Sequence, residues 1–114
     1  MPSDDATLLD IWNAGRGAIE FKGDSDKAAF MADRKTQSAV LHQLLIIGEA
    51  VKRLSPGFRE KHPEIPWKQI AGTRDKIIHE YNNVDLDEVW RTLTADVPRL
   101  LSFLPPFLPR TTGE

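Results

Sequence analysis

The stretch that decides the fold is residues 44–51, which run Leu-Leu-Ile-Ile-Gly-Glu-Ala-Val. Apolar side chains fill nearly all sides of a helix built from this stretch, and such a helix packs against neighbours on more than one side. We therefore predict that it forms the middle of a central, buried helix. Gly48 costs about 1 kcal/mol relative to alanine in a helix interior. Either a second helix crosses closely at this position, or the glycine is incidental.

Apolar residues at three- and four-residue steps extend the central helix in both directions. This period holds from residue 34 to residue 54, and it recurs in residues 4–22 and residues 85–101. A short helix holding Phe30 and Met31 is predicted after the first of these, with a cap chosen among residues 24–26. Asp85 or Asp87 can cap the last helix. Pro98 lies inside that last helix, so we expect a kink or a break there.

The segment between the central and last helices carries proline and glycine signals. Ser55-Pro56-Gly57 ends the central helix, and an irregular connection with one short helical turn follows as far as Pro66. Trp67 begins one more turn. Thr73 is then expected to cap a separate helix that runs from about Arg74 to Tyr81.

The fold class that follows is all-α. No alternating pattern is long enough to propose a strand, so we expect an antiparallel bundle of four to five helices with no sheet. A chain of 114 residues suits one domain. We place this domain at residues 1–104, followed by a proline-rich tail at residues 105–114. Pro105, Pro106 and Pro109 disfavour helix in the tail, and Phe107 and Leu108 are expected to pack on something.

The composition bounds the class of protein. The chain has no cysteine, which excludes disulfides, thiolate metal sites and a cysteine nucleophile. It also shows no secretory signal and no apolar run of the roughly 20 residues that a membrane span needs, so a cytoplasmic protein is expected. A net charge of -2 argues against a protein that coats nucleic acid. A nuclease with a local cationic site is still allowed.

Residues 74–81 place a fixed cation, an imidazole and a phenol close together in the sequence, namely Arg74, His79 and Tyr81. Asp75 and His79 are four residues apart, so on a helix the carboxylate can hold the imidazole in one tautomer. Arg74 and His79 are roughly 140° apart around a helix axis. One helix therefore does not bring them together, but two such helices across a dimer axis can do so.

These side chains suit the cleavage of RNA without a metal ion. An imidazole can take a proton from a ribose 2′-hydroxyl, and a guanidinium can stabilise charge on the phosphate. Spacing alone does not identify an enzyme, however. A surface arginine, a half-buried histidine and a tyrosine packed on Ile77 and Ile78 would give the same pattern.

Other candidate residues point to no metal and no cofactor. His42, His62 and His79 lack the close spacing of a zinc site, and no glycine-rich phosphate loop occurs. Glu49 lies in the most apolar helix, where it either pairs with a buried donor or borders a site. Three cations form a solvated face or add phosphate contacts: Lys68, Lys76 and Arg91.

Four ordered motifs resemble the HepT-like toxins of the HEPN superfamily. Residues 73–81 resemble the R-x4-H-x-Y signature, and residues 47–54 resemble the IGEA segment with its following Lys-Arg-Leu. Residues 65–67 resemble the P-W turn, and Val89-Trp90 adds a fourth match. Together the resemblance covers about residues 30–101.

This resemblance implies a HEPN-type helical bundle that forms a homodimer with its arginine and histidine motifs facing each other. It implies a metal-independent endoribonuclease that needs no cofactor. Arg74 and His79 match the catalytic pair, and Asp75 matches the polar residue after the arginine. In this branch, a type VII toxin–antitoxin system, the partner is an MntA-like minimal nucleotidyltransferase antitoxin. That enzyme transfers AMP from ATP to the motif tyrosine, here Tyr81.

A second hypothesis shares the fold and the partner. In it the helical dimer is not catalytic and only binds and positions the nucleotidyltransferase or its substrate. The two hypotheses differ in whether RNA is cut, and the sequence leaves both open.

Overall fold

A computed structural model describes residues 3–80 and 83–109 of the chain. Within these ranges the chain forms seven α-helices: α1 (Asp5–Lys22), α2 (Lys27–Met31), α3 (Arg34–Arg53), α4 (Pro56–Lys61), α5 (Trp67–His79), α6 (Leu86–Arg91) and α7 (Val97–Phe103). A π-helical segment, Thr92–Asp96, joins α6 to α7, and a 3-10 turn, Pro105–Phe107, follows α7. No strand occurs in these ranges, so the predicted all-α bundle is confirmed.

α3 is the central helix of the bundle, as the sequence predicts. It packs against α1 on one side and α5 on the other. Asp4 accepts a hydrogen bond from the Ser55 hydroxyl at 2.7 Å, whereas Gly17 lies beside Gln43, so α1 and α3 run antiparallel. The buried residues of α3 are Val40, Leu44, Ile47, Gly48, Ala50 and Val51.

Gly48 marks the place where α5 crosses α3. A Cβ atom built on Gly48 would overlap the Cβ atom of Arg74 and would lie 3.3 Å from the Arg74 Cα. The helices can approach this closely only because glycine has no side chain. The sequence left open whether this glycine is incidental. The structure shows that it permits a close helix crossing.

Aspartate side chains cap several of the helices. Asp26 accepts a hydrogen bond from the Ala29 N–H at 2.8 Å at the start of α2. Asp85 accepts bonds from the first-turn N–H groups of α6. Both belong to the predicted cap candidates. These bonds satisfy backbone donors that have no partner within the helix.

One predicted boundary is wrong: α5 is a single helix from Trp67 to His79 and does not restart at Arg74. Thr73 lies inside it, where its hydroxyl donates a hydrogen bond to the Gln69 carbonyl at 3.1 Å. That bond satisfies the hydroxyl within the helix, so Thr73 is not a cap. Helical structure continues through Gly72 because tertiary packing of the α5 apolar face outweighs the low helix propensity of glycine.

The predicted break near Pro98 is confirmed as a π-helical segment. The Val97 N–H bonds to the Thr92 carbonyl, five residues back, and Pro98 sits in the first turn of α7. Proline lacks an N–H and its ring clashes with the carbonyl four residues before it, so the wider π turn accommodates it.

The tail after α7 packs on the protomer's own core. The Phe107 ring lies 5.5 Å from the Phe58 ring and 4.8 Å from the His62 ring. The predicted packing of Phe107 is thereby confirmed, although a 3-10 turn forms where no helix was expected. Residues 110–114 lie outside the described ranges, and the domain boundary at residue 104 stays a prediction. In the part that the structure describes, no helix is both long and apolar enough to cross a bilayer.

The Gly48 crossing generates a stability prediction. Gly48→Ala places a methyl group where the Arg74 side chain begins, so α3 and α5 must move apart. Overpacking of this kind lowers the free energy of unfolding by about 1–3 kcal/mol. Urea unfolding followed by circular dichroism measures the loss.

The matched control is Gly72→Ala on the helix that crosses at Gly48. A Cβ atom at Gly72 meets no atom within 4 Å, and alanine is the better helix former by up to about 1 kcal/mol. This variant should therefore unfold at the same or a higher urea concentration. Equal stability of Gly48→Ala and wild type would show that the close crossing is not required.

Candidate active site

α5 carries the candidate catalytic residues, and its buried face holds it in place. Trp67, Ile70, Thr73 and Ile77 are the buried residues of this helix. The Trp67 indole N–H also donates a hydrogen bond to the His62 carbonyl at 2.9 Å. The opposite face of α5 therefore points outward, and this face carries Asp75 and His79.

Arg74 is held between two carboxylates at the α3 crossing. Its Nη1 donates to Asp75 Oδ1 at 3.1 Å, and its Nη2 donates to Glu49 Oε1 at 3.4 Å. Its Nε is buried and has no hydrogen-bond partner among the described residues. The side chain is 29% exposed. Arg74 is thus a partly buried, oriented cation, unlike a freely moving surface arginine.

Glu49 borders this site although it belongs to the most apolar helix. Its side chain is 50% exposed, and it pairs with the Arg74 guanidinium. The sequence left open a buried structural partner or a residue at the edge of a site. The structure places Glu49, half exposed, on the α3 edge that faces Arg74, and its part in a functional site stays a prediction.

Asp75 binds cations instead of the imidazole that the sequence suggested. Its Oδ1 accepts hydrogen bonds from Lys52 Nζ at 2.5 Å and from Arg74 Nη1. The Lys52 bond first, and the Arg74 bond second, hold the pKa of Asp75 below its usual value. The expected Asp75–His79 pairing is not among the hydrogen bonds of the described residues. Two cationic partners bind the carboxylate in place of the imidazole on the same helix face.

Lys52 is the residue of this network to which the sequence gave no role. It lies in the last turn of α3, three residues after Glu49. That spacing places Lys52 and Glu49 on one side of α3. A cation three residues after the glutamate could therefore have been identified from the sequence as a candidate member of this network.

His79 ends α5, and the structure places it at the surface. Its side chain makes no hydrogen bond to any residue in the described ranges. Because α5 is continuous from Arg74 to His79, their side chains leave the axis about 140° apart. A single protomer presents them in different directions. Tyr81, the expected AMP acceptor, lies outside the described residues.

Two of the three remaining candidate cations already pair with carboxylates. Lys76 pairs with Glu88 at 2.6 Å, and Arg91 pairs with Asp96 at 3.2 Å, so their charges are already compensated. Lys68 is exposed on α5.

The other two histidines lie apart from the outer face of α5. His62 packs among aromatic rings, and His42 is exposed on α3. No group of three or more histidine, aspartate or glutamate side chains in the described ranges has the spacing of a metal site.

Comparison with known proteins places this chain in a family. The family model described as "Ribonuclease HepT-like" matches residues 13–106. The "Probable ribonuclease HepT" of Thermococcus cleftensis is 49% identical over 82% of this chain and 84% of its own length. A Methanocaldococcus jannaschii protein described as a "Putative RNase" is 37% identical over 100% of this chain and 96% of its own length. No solved structure matches the chain.

The matched segment contains the whole α3–α5 crossing and both residues of the R-x4-H spacing, Arg74 and His79. The chain therefore belongs to the HepT-like ribonuclease family.

Proposed function

We propose that this HepT-like ribonuclease is the toxin of a type VII toxin–antitoxin pair and cuts RNA internally without a metal ion. One observation carries the nuclease part of the proposal. Arg74 is an oriented, partly exposed guanidinium in the middle of the helix that ends with the exposed imidazole of His79. These two groups provide the phosphate binding and the proton transfer that the reaction needs.

In the proposed reaction Arg74 binds the scissile phosphate. His79 takes the proton from the ribose 2′-hydroxyl, or gives a proton to the 5′-oxygen that leaves. The 2′-oxygen forms a bond to phosphorus as the bond from phosphorus to the 5′-oxygen breaks. The products are a 2′,3′-cyclic phosphate and a free 5′-hydroxyl.

Glu49 and Asp75 act as supporting residues that orient Arg74. Asp75 is also bound by Lys52, so it stays in place and directs one edge of the guanidinium. The Glu49 contact is longer, at 3.4 Å, and half exposed. Exposed ion pairs contribute only about 0–1 kcal/mol. A phosphate can therefore replace Glu49 on Arg74 without a large penalty.

A homodimer completes the site in this proposal. Arg74 and His79 point to different sides of α5, so the imidazole of one protomer works with the guanidinium of its partner. Ile78 lies between them in the sequence and is 42% exposed, which leaves apolar surface for an interface beside the site. The apolar tail does not support a dimer, because Leu104 is fully buried and Phe107 packs within the protomer.

Tyr81 is the proposed acceptor of AMP from an MntA-like nucleotidyltransferase antitoxin. It follows the end of α5, two residues after His79. An adenylate there adds bulk and negative charge near the catalytic residues, and the negative charge repels an RNA phosphate. Modification would therefore inhibit the nuclease.

The nuclease proposal predicts RNA cleavage in the presence of EDTA. Arg74→Ala should lower kcat/KM by about 10²–10³-fold through loss of charge stabilisation. His79→Ala should lower it by about 10²–10⁴-fold through loss of proton transfer. Cleavage of a fluorescently labelled RNA measures both rates, and mass spectrometry identifies the cyclic phosphate.

His42→Ala is the matched control, because His42 is also an exposed histidine but lies on α3. It should cut at the wild-type rate. If the His79→Ala variant cuts as fast as wild type, His79 is not the catalyst. If wild type binds the nucleotidyltransferase and cuts no RNA, the non-catalytic hypothesis is correct.

The shared site predicts complementation between inactive variants. Each mixed dimer of Arg74→Ala and His79→Ala contains one site with both functional groups intact. Equal mixing with subunit exchange should therefore restore about a quarter of wild-type activity. Light scattering checks that every sample is dimeric. Mixed dimers without activity would place Arg74 and His79 of the same protomer in one site.

The AMP proposal predicts a specific behaviour of Tyr81→Phe. This variant loses only a hydroxyl, so it should fold, dimerise and cut RNA. With the antitoxin and ATP, wild type should gain mass in steps of one adenylate and lose activity, whereas Tyr81→Phe should gain none and stay active. Adenylate found on the phenylalanine variant would show that another residue is modified.

A further inference from the structure

An open groove of about 690 Å³ lies between α4 and α5, beside the candidate active site. We call it the α4–α5 groove. Its lining residues come from the end of α3, from α4 and from α5. They include Lys52, Arg59, Glu60, Lys68, Gly72 and Asp75.

The groove is continuous with the catalytic residues. Asp75 lines it and also accepts a hydrogen bond from Arg74 at 3.1 Å. On α5, Lys68, Gly72 and Asp75 follow each other at steps of four and three residues, and His79 comes four residues later. These positions fall on one stripe of the helix. The stripe is about 16 Å long from Lys68 to His79.

The charges of the groove favour a polyanion. Asp75 is already bound by Lys52 and Arg74. Arg59 and Lys68 form no ion pair with any residue that the structure describes. Glu60 is the remaining acid of the lining. Two uncompensated cations beside a phosphate-binding arginine have the charge that attracts the phosphates of a nucleic acid strand.

Gly72 keeps the middle of the groove open. A Cβ atom at Gly72 would meet no atom within 4 Å, so a side chain there would extend into free space on the α5 stripe. The absence of a side chain lets a strand lie close to the helix between Lys68 and Asp75.

We propose that the α4–α5 groove binds the single-stranded RNA on one side of the scissile phosphate, with Lys68 and Arg59 contacting backbone phosphates. The proposal rests on the nuclease function proposed above and adds a binding subsite to it. The strand runs along the α5 stripe from His79 toward Lys68. Arg59 and Lys68 then contribute to the binding of long RNA and not to the chemical step.

The test compares two substrates with the double variant Arg59→Gln, Lys68→Gln. A dinucleotide occupies only the scissile position, whereas a longer single-stranded RNA also fills the groove. The double variant should raise KM for the longer RNA severalfold while kcat stays unchanged. Its kcat/KM for the dinucleotide should equal that of wild type.

Binding is measured separately, by fluorescence anisotropy of a labelled single-stranded RNA at several salt concentrations. Each phosphate contact on a single strand contributes about 0.7 to the slope of log K against log salt, so the double variant should lose about 1.4. This measurement tests the groove even if wild type cuts no RNA. A lost slope without cleavage would keep the subsite and overturn the nuclease function.

Two further comparisons separate the groove from general charge and from folding. Lys35→Gln removes the same charge at an exposed site about 25 Å from Lys52 along α3, and it should leave KM and the salt slope unchanged. Gly72→Glu should weaken binding of the longer RNA, whereas Gly72→Ala should not.

Three results would overturn the proposal. The first is an unchanged KM and salt slope in the double variant. The second is an equal loss on the dinucleotide and on the longer RNA, which would assign Arg59 and Lys68 to the reaction itself. The third is a change from dimer to monomer in light scattering of the double variant or Gly72→Glu, which would make the groove a protein interface.

Discussion

The close crossing of α3 and α5 at Gly48 is the contact on which the site depends. A side chain at Gly48 would occupy the position of the Arg74 Cβ atom. Without one, the Arg74 backbone lies against α3, and its guanidinium reaches Glu49 on one side and Asp75 on the other. The most apolar stretch of the sequence thus serves two purposes. It builds the core, and it sets the position of the charged group that α5 presents.

The charges around Arg74 form one connected network. Lys52 from α3 binds Asp75, Asp75 binds Arg74, and Arg74 reaches back to Glu49 on α3. The network thus joins the outer edges of the two helices that the apolar crossing joins inside. Each pair is partly exposed, so its contribution to stability is small. Its larger effect is to fix the direction of the guanidinium, which matters for binding a phosphate in a defined place.

Local sequence rules failed where a tertiary contact competed with them. Thr73 has the chemistry of a helix cap, but the buried face of α5 runs from Trp67 to Ile77 and keeps the helix unbroken. Asp75 has the spacing to hold His79 on one helix, but its carboxylate binds Lys52 from α3 instead. In both cases the deciding group is distant in the sequence. Reasoning along a single helix cannot include it.

The sequence by itself determined the all-α class, the central position of residues 44–51, the short lists of cap candidates that contain Asp26 and Asp85, and the irregularity around Pro98. Each follows from a local period or from the stereochemistry of one residue. The motif also placed Arg74 and His79 on the same segment. Only the tertiary structure decided that Gly48 receives Arg74, that Glu49 pairs with Arg74 and that Lys52 binds Asp75. It also opened the groove beside α5. These features depend on how two helices cross, and a helix crossing is set by packing between segments far apart in the chain.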